Sequence, residues 1–140
     1  MTKPTLLWLR RDLRLTDHPA LNAALARGGP VIAVFIQDDS VTGLGAAAKF
    51  RLGLGLAALA ETLRAQGQRL ILRRGPAREV LEELLAQTGA DAVYWSRLYD
   101  PQAIERDSRI KSALRDNGVE AQSFSGHLLF EPWEVETGQG

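Results

Sequence analysis

Five short runs of apolar and β-branched positions alternate with longer stretches of helical periodicity along this chain. The runs are Thr5–Leu9, Val31–Ile36, Arg69–Leu72, Ala92–Ser96 and Glu120–Phe124, each brief and bounded by turn residues, so each is read as a strand. Between them the helices are well punctuated. The first opens at Asp17-His18-Pro19, with Asp17 as its expected cap, Pro19 early in it and Gly28 after it. The second is predicted from Ala46 to Ala65, with Leu52, Leu56, Leu59 and Leu63 on one face and a stop at Gly67. The third follows Gly75-Pro76, is expected to bury Val80, Leu81, Leu84 and Leu85, and ends at Gly89. The fourth begins near Pro101 and ends at Asn117-Gly118, with Ile110, Ala113 and Leu114 facing inward.

A repeated strand–helix order predicts an α/β fold. The expected architecture is a Rossmann-like, doubly wound, five-stranded parallel sheet with right-handed crossovers and helices on both faces. The first and fourth strands should be neighbours where the strand order reverses, which is where such sheets bind ligands. Residues 1–135 read as one domain, and 136–140 as the start of a linker. Leu128–Trp133 is too apolar for a disordered end and is expected to pack back on the domain.

Composition narrows the function more than the fold. The 140 residues carry 17 basic and 17 acidic side chains, so net charge is zero, against the basic balance of a nucleic-acid binder acting alone. Absence of cysteine excludes disulfides, thiolate metal sites and cysteine catalysis. His18 and His127 are the only histidines, without metal spacing, so neither a metal site nor a Ser/His/Asp triad is proposed. Met1-Thr2-Lys3-Pro4 runs into the first strand without a signal-peptide pattern, and no apolar run nears the ~20 residues of a membrane span. A cytoplasmic location is expected.

The densest candidate chemistry lies in Trp8-Leu9-Arg10-Arg11-Asp12-Leu13-Arg14-Leu15-Thr16-Asp17. Unpaired charges are expensive to bury, so Arg10-Arg11-Asp12 must end the strand. These residues could form an anion or planar-ligand site, or a salt-bridge lattice that ties the loop to the sheet; both readings stand. No glycine precedes Gly28, so the turn is not a glycine-rich dinucleotide cradle. Asp38 and Asp39 end the second strand, where they either line the crevice or cap a turn. Gly43-Leu44-Gly45-Ala46-Ala47-Ala48-Lys49 lacks phosphate-loop spacing, and Phe50 stands where a hydroxyl should be. Gly53 and Gly55 lie inside the second helix, where they either permit close packing, the preferred reading, or make room for a flat ring. Tyr94 and Trp95 should point to opposite faces, with Arg97–Asp100 flanking the same crevice as Arg11–Arg14.

The opening motif resembles the W-x-R-x-D-L-R-x-x-D signature of the photolyase/cryptochrome family, and the resemblance continues through Pro19-Ala20-Leu21, Lys49-Phe50-Arg51-Leu52, Leu70–Gly75, Ala92-Val93-Tyr94-Trp95, Tyr99-Asp100-Pro101 and Glu105-Arg106-Asp107. One departure is His18, where many members have asparagine; it implies weaker capping. The resemblance implies an N-terminal α/β domain that binds a light-harvesting antenna: a folate, a deazaflavin or a flavin. It also implies a following helical domain that holds FAD and, in photolyases, UV-damaged DNA. Carried over by position, the antenna contacts are Arg11, Asp12, Leu13, Arg14, Asp38, Lys49, Arg51, Asp100, Gln102 and Arg106. Folate-binding members often carry Asn-Glu after the fourth strand; Gln102-Ala103 stands here and puts folate in doubt. The reading this implies is the light-harvesting domain of a deoxyribodipyrimidine photolyase, inactive by itself and with no catalytic residue of its own. A cryptochrome photoreceptor domain is the alternative, and a universal-stress-type nucleotide-binding module a third.

Overall fold

Leu6 to Leu9 leave no polar face on which a strand could meet water, and the sheet accordingly surrounds them. A computed structural model of the chain describes residues 3–11, 13, 15 and 18–125. Strand β1 (Thr5–Leu9) is buried along its whole length. It pairs in parallel with β2 (Val31–Gln37), in register from Thr5 opposite Val31 to Leu9 opposite Phe35. On its other side lies β4 (Ala92–Ser96), from Thr5 opposite Ala92 to Trp8 opposite Trp95. The outer strands are β3 (Leu70–Arg74) beside β2 and β5 (Glu120–Phe124) beside β4, giving the order β3-β2-β1-β4-β5. Buried central strands of a parallel sheet are expected to be apolar on both faces, as β1 and β4 are.

Alternation along the strands sorts the core into two layers. Leu6, Trp8, Val34, Val93 and Trp95 point to one face, which is covered by α4 (Ala77–Thr88) and α5 (Pro101–Asp116). Leu7, Leu9, Ala33, Ala92 and Tyr94 point to the other, under α1 (Pro19–Ala26) and α3 (Ala46–Ala65). Each fully buried leucine or tryptophan contributes roughly 1.5–3 kcal/mol relative to exposure. Trp8 and Trp95, neighbours across the strand pair, meet edge to face with ring centroids 5.3 Å apart. The doubly wound sheet, its order reversal between β1 and β4, and the bounds of α3 all match the sequence reading.

Several details do not. Helix α1 is capped by His18, not by the expected Asp17, which lies outside the described residues. His18 takes an extended conformation, and its Nδ1 accepts from the Leu21 amide at 3.2 Å. An imidazole acceptor three bonds from Cα, as far out as the side-chain oxygen of asparagine or aspartate, thus does the work that those residues usually do. Strand β2 extends one residue further, to Gln37, and β3 is Leu70–Arg74, not Arg69–Leu72. A four-residue helix, α2 (Asp39–Thr42), went unforeseen because so short a turn has no periodicity to read. Leu85 and Ala113 are only partly buried. Helix α4 stops where expected, at Gly89, whose φ of 75° is left-handed and favours glycine. Leu128–Trp133 and the linker at 136–140 lie outside the described residues.

Candidate functional site

At the carboxyl ends of β1, β2 and β4 the charged loop residues divide into two groups. Arg10 remains buried, 8% exposed, although it follows the last residue of β1. Its guanidinium donates from Nη1 to Asp107 Oδ1 at 3.0 Å and from Nη2 to the Ser96 carbonyl at 2.5 Å. The second oxygen of Asp107 is 3.0 Å from Nη2, so the pair is bidentate, and the guanidinium lies 4.4 Å from the Trp8 ring centroid. Arg106 extends the chain of charges, donating to Asp107 Oδ1 and, from Nη1, to Asp38 Oδ2 at 2.9 Å. Arg10, Asp107, Arg106 and Asp38 therefore form a charge-balanced brace linking β1, the end of β2 and α5. A buried charge so paired is tolerated because each ion replaces its lost water with hydrogen bonds.

Arg11, the next residue, is exposed and takes no part in this network of ion pairs. With Leu13 it forms one wall of a cavity of about 500 Å³, whose other wall is Leu44, Ala48, Arg51, Leu52 and Gly55. Close approach of the loop to α3 depends on Gly55. A Cβ added there would stand 3.0 Å from Leu13 Cδ1. Gly53 has nothing within 4 Å of such a Cβ, and nothing in the structure explains it. Among the described residues, Arg11 and Arg51 each lack a carboxylate partner, unlike every arginine of the brace. The arrangement is an apolar slot with two planar cations, suited to a flat ring bearing negative charge or carbonyl oxygens.

The remaining sequence candidates separate from this slot. Asp38 and Arg106 are brought together, but by each other, and both also border a cavity of about 300 Å³ beside the start of α4. Lys49 is exposed and does not line the slot. Asp100 caps α5, its Oδ2 accepting from the Ala103 amide at 3.2 Å, and Gln102 is exposed on the first turn. Of Arg97–Asp100, Leu98 does reach the floor shared with Arg10 and Arg11, whereas Arg97 turns to Ser123 on β5. Asp12 and Arg14 lie outside the described residues. Asp107 was missed as a candidate, although its motif was visible, because its partner Arg10 is 97 positions away. Leu44, Ala48, Leu52 and Gly55 were missed because apolar walls carry no local signal.

Two titrating groups are displaced elsewhere. The Tyr94 phenol is pushed up to about 12, first by desolvation and then by its hydrogen bond to Glu120 and that carboxylate's charge. The Lys111 ammonium is pushed below the usual lysine value by burial and by the Arg115 and Arg97 cations. Among the described residues no group of three acidic, histidine or cysteine side chains could hold a metal, and no helix is long and apolar enough to cross a membrane.

Comparison with known proteins places this geometry in context. A family model described as DNA photolyase matches residues 5–140. The chain is 46% identical over 139 residues to the deoxyribodipyrimidine photo-lyase of Agrobacterium fabrum, covering 99% of this chain and 29% of that protein. It is 39% identical to cryptochrome-1 of Arabidopsis thaliana, over 94% of this chain and 20% of that protein. Among solved structures, a class III photolyase from Agrobacterium tumefaciens superposes over 100% of this chain with a TM-score of 0.92, at 46% identity and 29% of its own length. An archaeal photolyase from Sulfolobus tokodaii, solved with two FAD molecules, gives 0.77 at 32% identity, covering 87% of this chain and 29% of its own. The chain thus spans less than a third of the length of each of these relatives.

Proposed function

The chain belongs to the DNA photolyase family, and on that premise we propose that it is the antenna-binding α/β domain of a light-driven pyrimidine-dimer photolyase. The observation that carries this reading is the slot between the β1 loop and α3, where Arg11 and Arg51 stand on an apolar floor without a carboxylate partner among the described residues. Its volume lies in the range of pockets that take cofactor-sized ligands. Family members bind FAD and an antenna chromophore, and the two FAD molecules of the archaeal relative favour a flavin-type ring here over a folate. When bound, the antenna supplies absorption of blue light and passes the excitation to reduced FAD held by the helical domain of the full-length protein.

The chain's own residues then hold and orient the ring. Arg11 and Arg51 donate to its carbonyl or phosphate oxygens, or stack on its face. Leu13, Leu44 and Leu52 exclude water from the other face. The brace keeps the β1 loop fixed so that Arg11 is not drawn inward. Asp12 and Arg14 adjoin the slot in sequence and are assigned to the same site, while Lys49, Asp100 and Gln102 act at its margin or not at all. UV-damaged DNA is engaged by the helical domain, so this chain alone splits no dimers.

Titrating the 140-residue chain with FMN, a 5-deazaflavin and methenyltetrahydrofolate, followed by ring fluorescence, tests the site. Tighter binding of a flavin-type ring, weakened at least tenfold in Arg51→Ala, is the expected result. Binding indifferent to both Arg11→Ala and Arg51→Ala removes the slot from consideration. The identity with cryptochrome-1 supports a photoreceptor as second reading. Blue-light repair of dimer-containing DNA by the full-length protein decides between the two.

A further inference from the structure

A separate cavity, of about 200 Å³, lies over the ends of β4 and β5 on the α5 side of the sheet. The slot borders α3, which covers the opposite face. Trp95, Leu98, Tyr99 and Ile104 form the apolar wall of this second cavity, and Lys111 and Ser123 its polar end. Lys111 Nζ donates to Ser123 Oγ at 2.9 Å and stands 5.9 Å from the Trp95 ring centroid. Among the described residues no carboxylate lies within ion-pair distance of Lys111, while burial and the Arg115 and Arg97 cations disfavour its charge. Asp107, which also borders the cavity, is committed to Arg10 and Arg106. Trp95 is fully buried, and its Nε1–H has no acceptor among the described residues. Buried donors are nearly always satisfied. An uncompensated cation and an unsatisfied donor thus meet at one apolar cavity.

We infer that this cavity binds a small aromatic monocarboxylate, with its ring against Trp95 and Tyr99 and its carboxylate on Lys111. Each part of that ligand answers a feature of the site. The ammonium lacks a counter-charge, which calls for an anion and not for a neutral ring. One ammonium matches a monoanion, whereas a phosphate would bring nearly two charges to it. The negative charge of Asp107 does not oppose the ligand, because two guanidinium groups balance it. A carboxylate is acceptor-only and has two oxygens, so it can serve two donors at once. The Trp95 indole is close enough to Lys111 to be the second. Ring surfaces from Trp95 and Tyr99 give an aromatic body contact beyond the area it buries. The cavity is smaller than the roughly 300–1,000 Å³ of pockets that take drug-sized ligands, so it admits one or two rings and no larger cofactor.

Titrating the 140-residue chain with 2-naphthoate, followed by the assigned Trp95 indole N–H resonance in proton–nitrogen NMR spectra, tests the inference. A saturable downfield shift is expected as this N–H gains its acceptor. The uncharged 2-naphthamide, of the same shape, should bind the unaltered protein about tenfold more weakly. Lys111→Met keeps the apolar stem, removes the charge and should weaken 2-naphthoate by a similar factor. Arg51→Ala should leave 2-naphthoate binding unchanged, because the slot takes no part. Equal affinity for acid and amide, or no saturable shift at millimolar 2-naphthoate, overturns the inference. So does displacement of 2-naphthoate by an equal concentration of inorganic phosphate, which assigns the cavity to a phosphate. Loss of binding in Arg51→Ala overturns it too, because it moves the ligand to the slot.

Discussion

Arg10 and Arg11 are adjacent in sequence and opposite in circumstance. Arg10 is buried, bidentate to Asp107 and stacked on Trp8. Arg11 is exposed and borders the slot with no carboxylate partner among the described residues. The alternation of a strand end separates them, since consecutive side chains leave on opposite faces. One arginine closes the α5 face of the sheet, and the other serves the α3 face. Pairing, more than the presence of charge, distinguishes structure from function in this loop.

The sharpest way to break that comparison is to remove the two cations in turn. Arg10→Met leaves Asp107 buried with only Arg106 against it, and should cost about 3–5 kcal/mol in urea unfolding. Arg11→Met should stay within about 0.5 kcal/mol of the parent protein and lose chromophore affinity instead. Equal stability losses in the two variants would erase the distinction between brace and slot.

A smaller effect is expected from the Tyr94–Glu120 contact at the opposite end of the sheet. The folded-state pKa is raised from 10.0 to about 12, so the folded chain holds this proton when the unfolded chain has released it. The stabilisation is therefore complete below pH 10 and declines as pH rises from 10 toward 12, by on the order of 2 kcal/mol. Tyr94→Phe should flatten this part of the stability profile measured between pH 9 and 12. A slope unchanged in that variant would assign the alkaline loss to another group.

The smallest effect concerns the cap of α1. His18→Ala should cost about 0.5–2 kcal/mol, and His18→Asn should recover most of it, as read by thermal unfolding. Failure of asparagine to rescue would mean that the buried ring matters more by its packing than by its Nδ1.

How much of this was legible in the sequence follows from how far apart the interacting residues are. Strands β1 and β4 announced themselves because four or five successive apolar residues can only lie inside a parallel sheet. Helix α3 was legible from its leucine stripe and from Gly67 after it. The reversal between β1 and β4 followed from the strand–helix order. Sequence could state that the β1 loop was either a lattice or a site, but not that Arg10 belongs to the first and Arg11 to the second. That division depends on Asp107, Arg106 and Asp38, whose contacts span 97 and 68 positions. Asp100 and Asp38 carried the right chemistry for a ligand, yet local and tertiary partners claim both. The slot's apolar wall is invisible to motif reading because leucine and glycine acquire their role only from what they face.

One consequence of the central tryptophan pair is optical. Two indoles 5.3 Å apart and inclined by 67° share their excited states, so their ultraviolet bands split and acquire rotational strength. Because Trp8 and Trp95 come from paired strands, the split signal exists only while β1 and β4 are in register. The domain therefore carries an intrinsic gauge of its own alignment. That gauge would fade on a register slip between these strands even if every helix stayed intact.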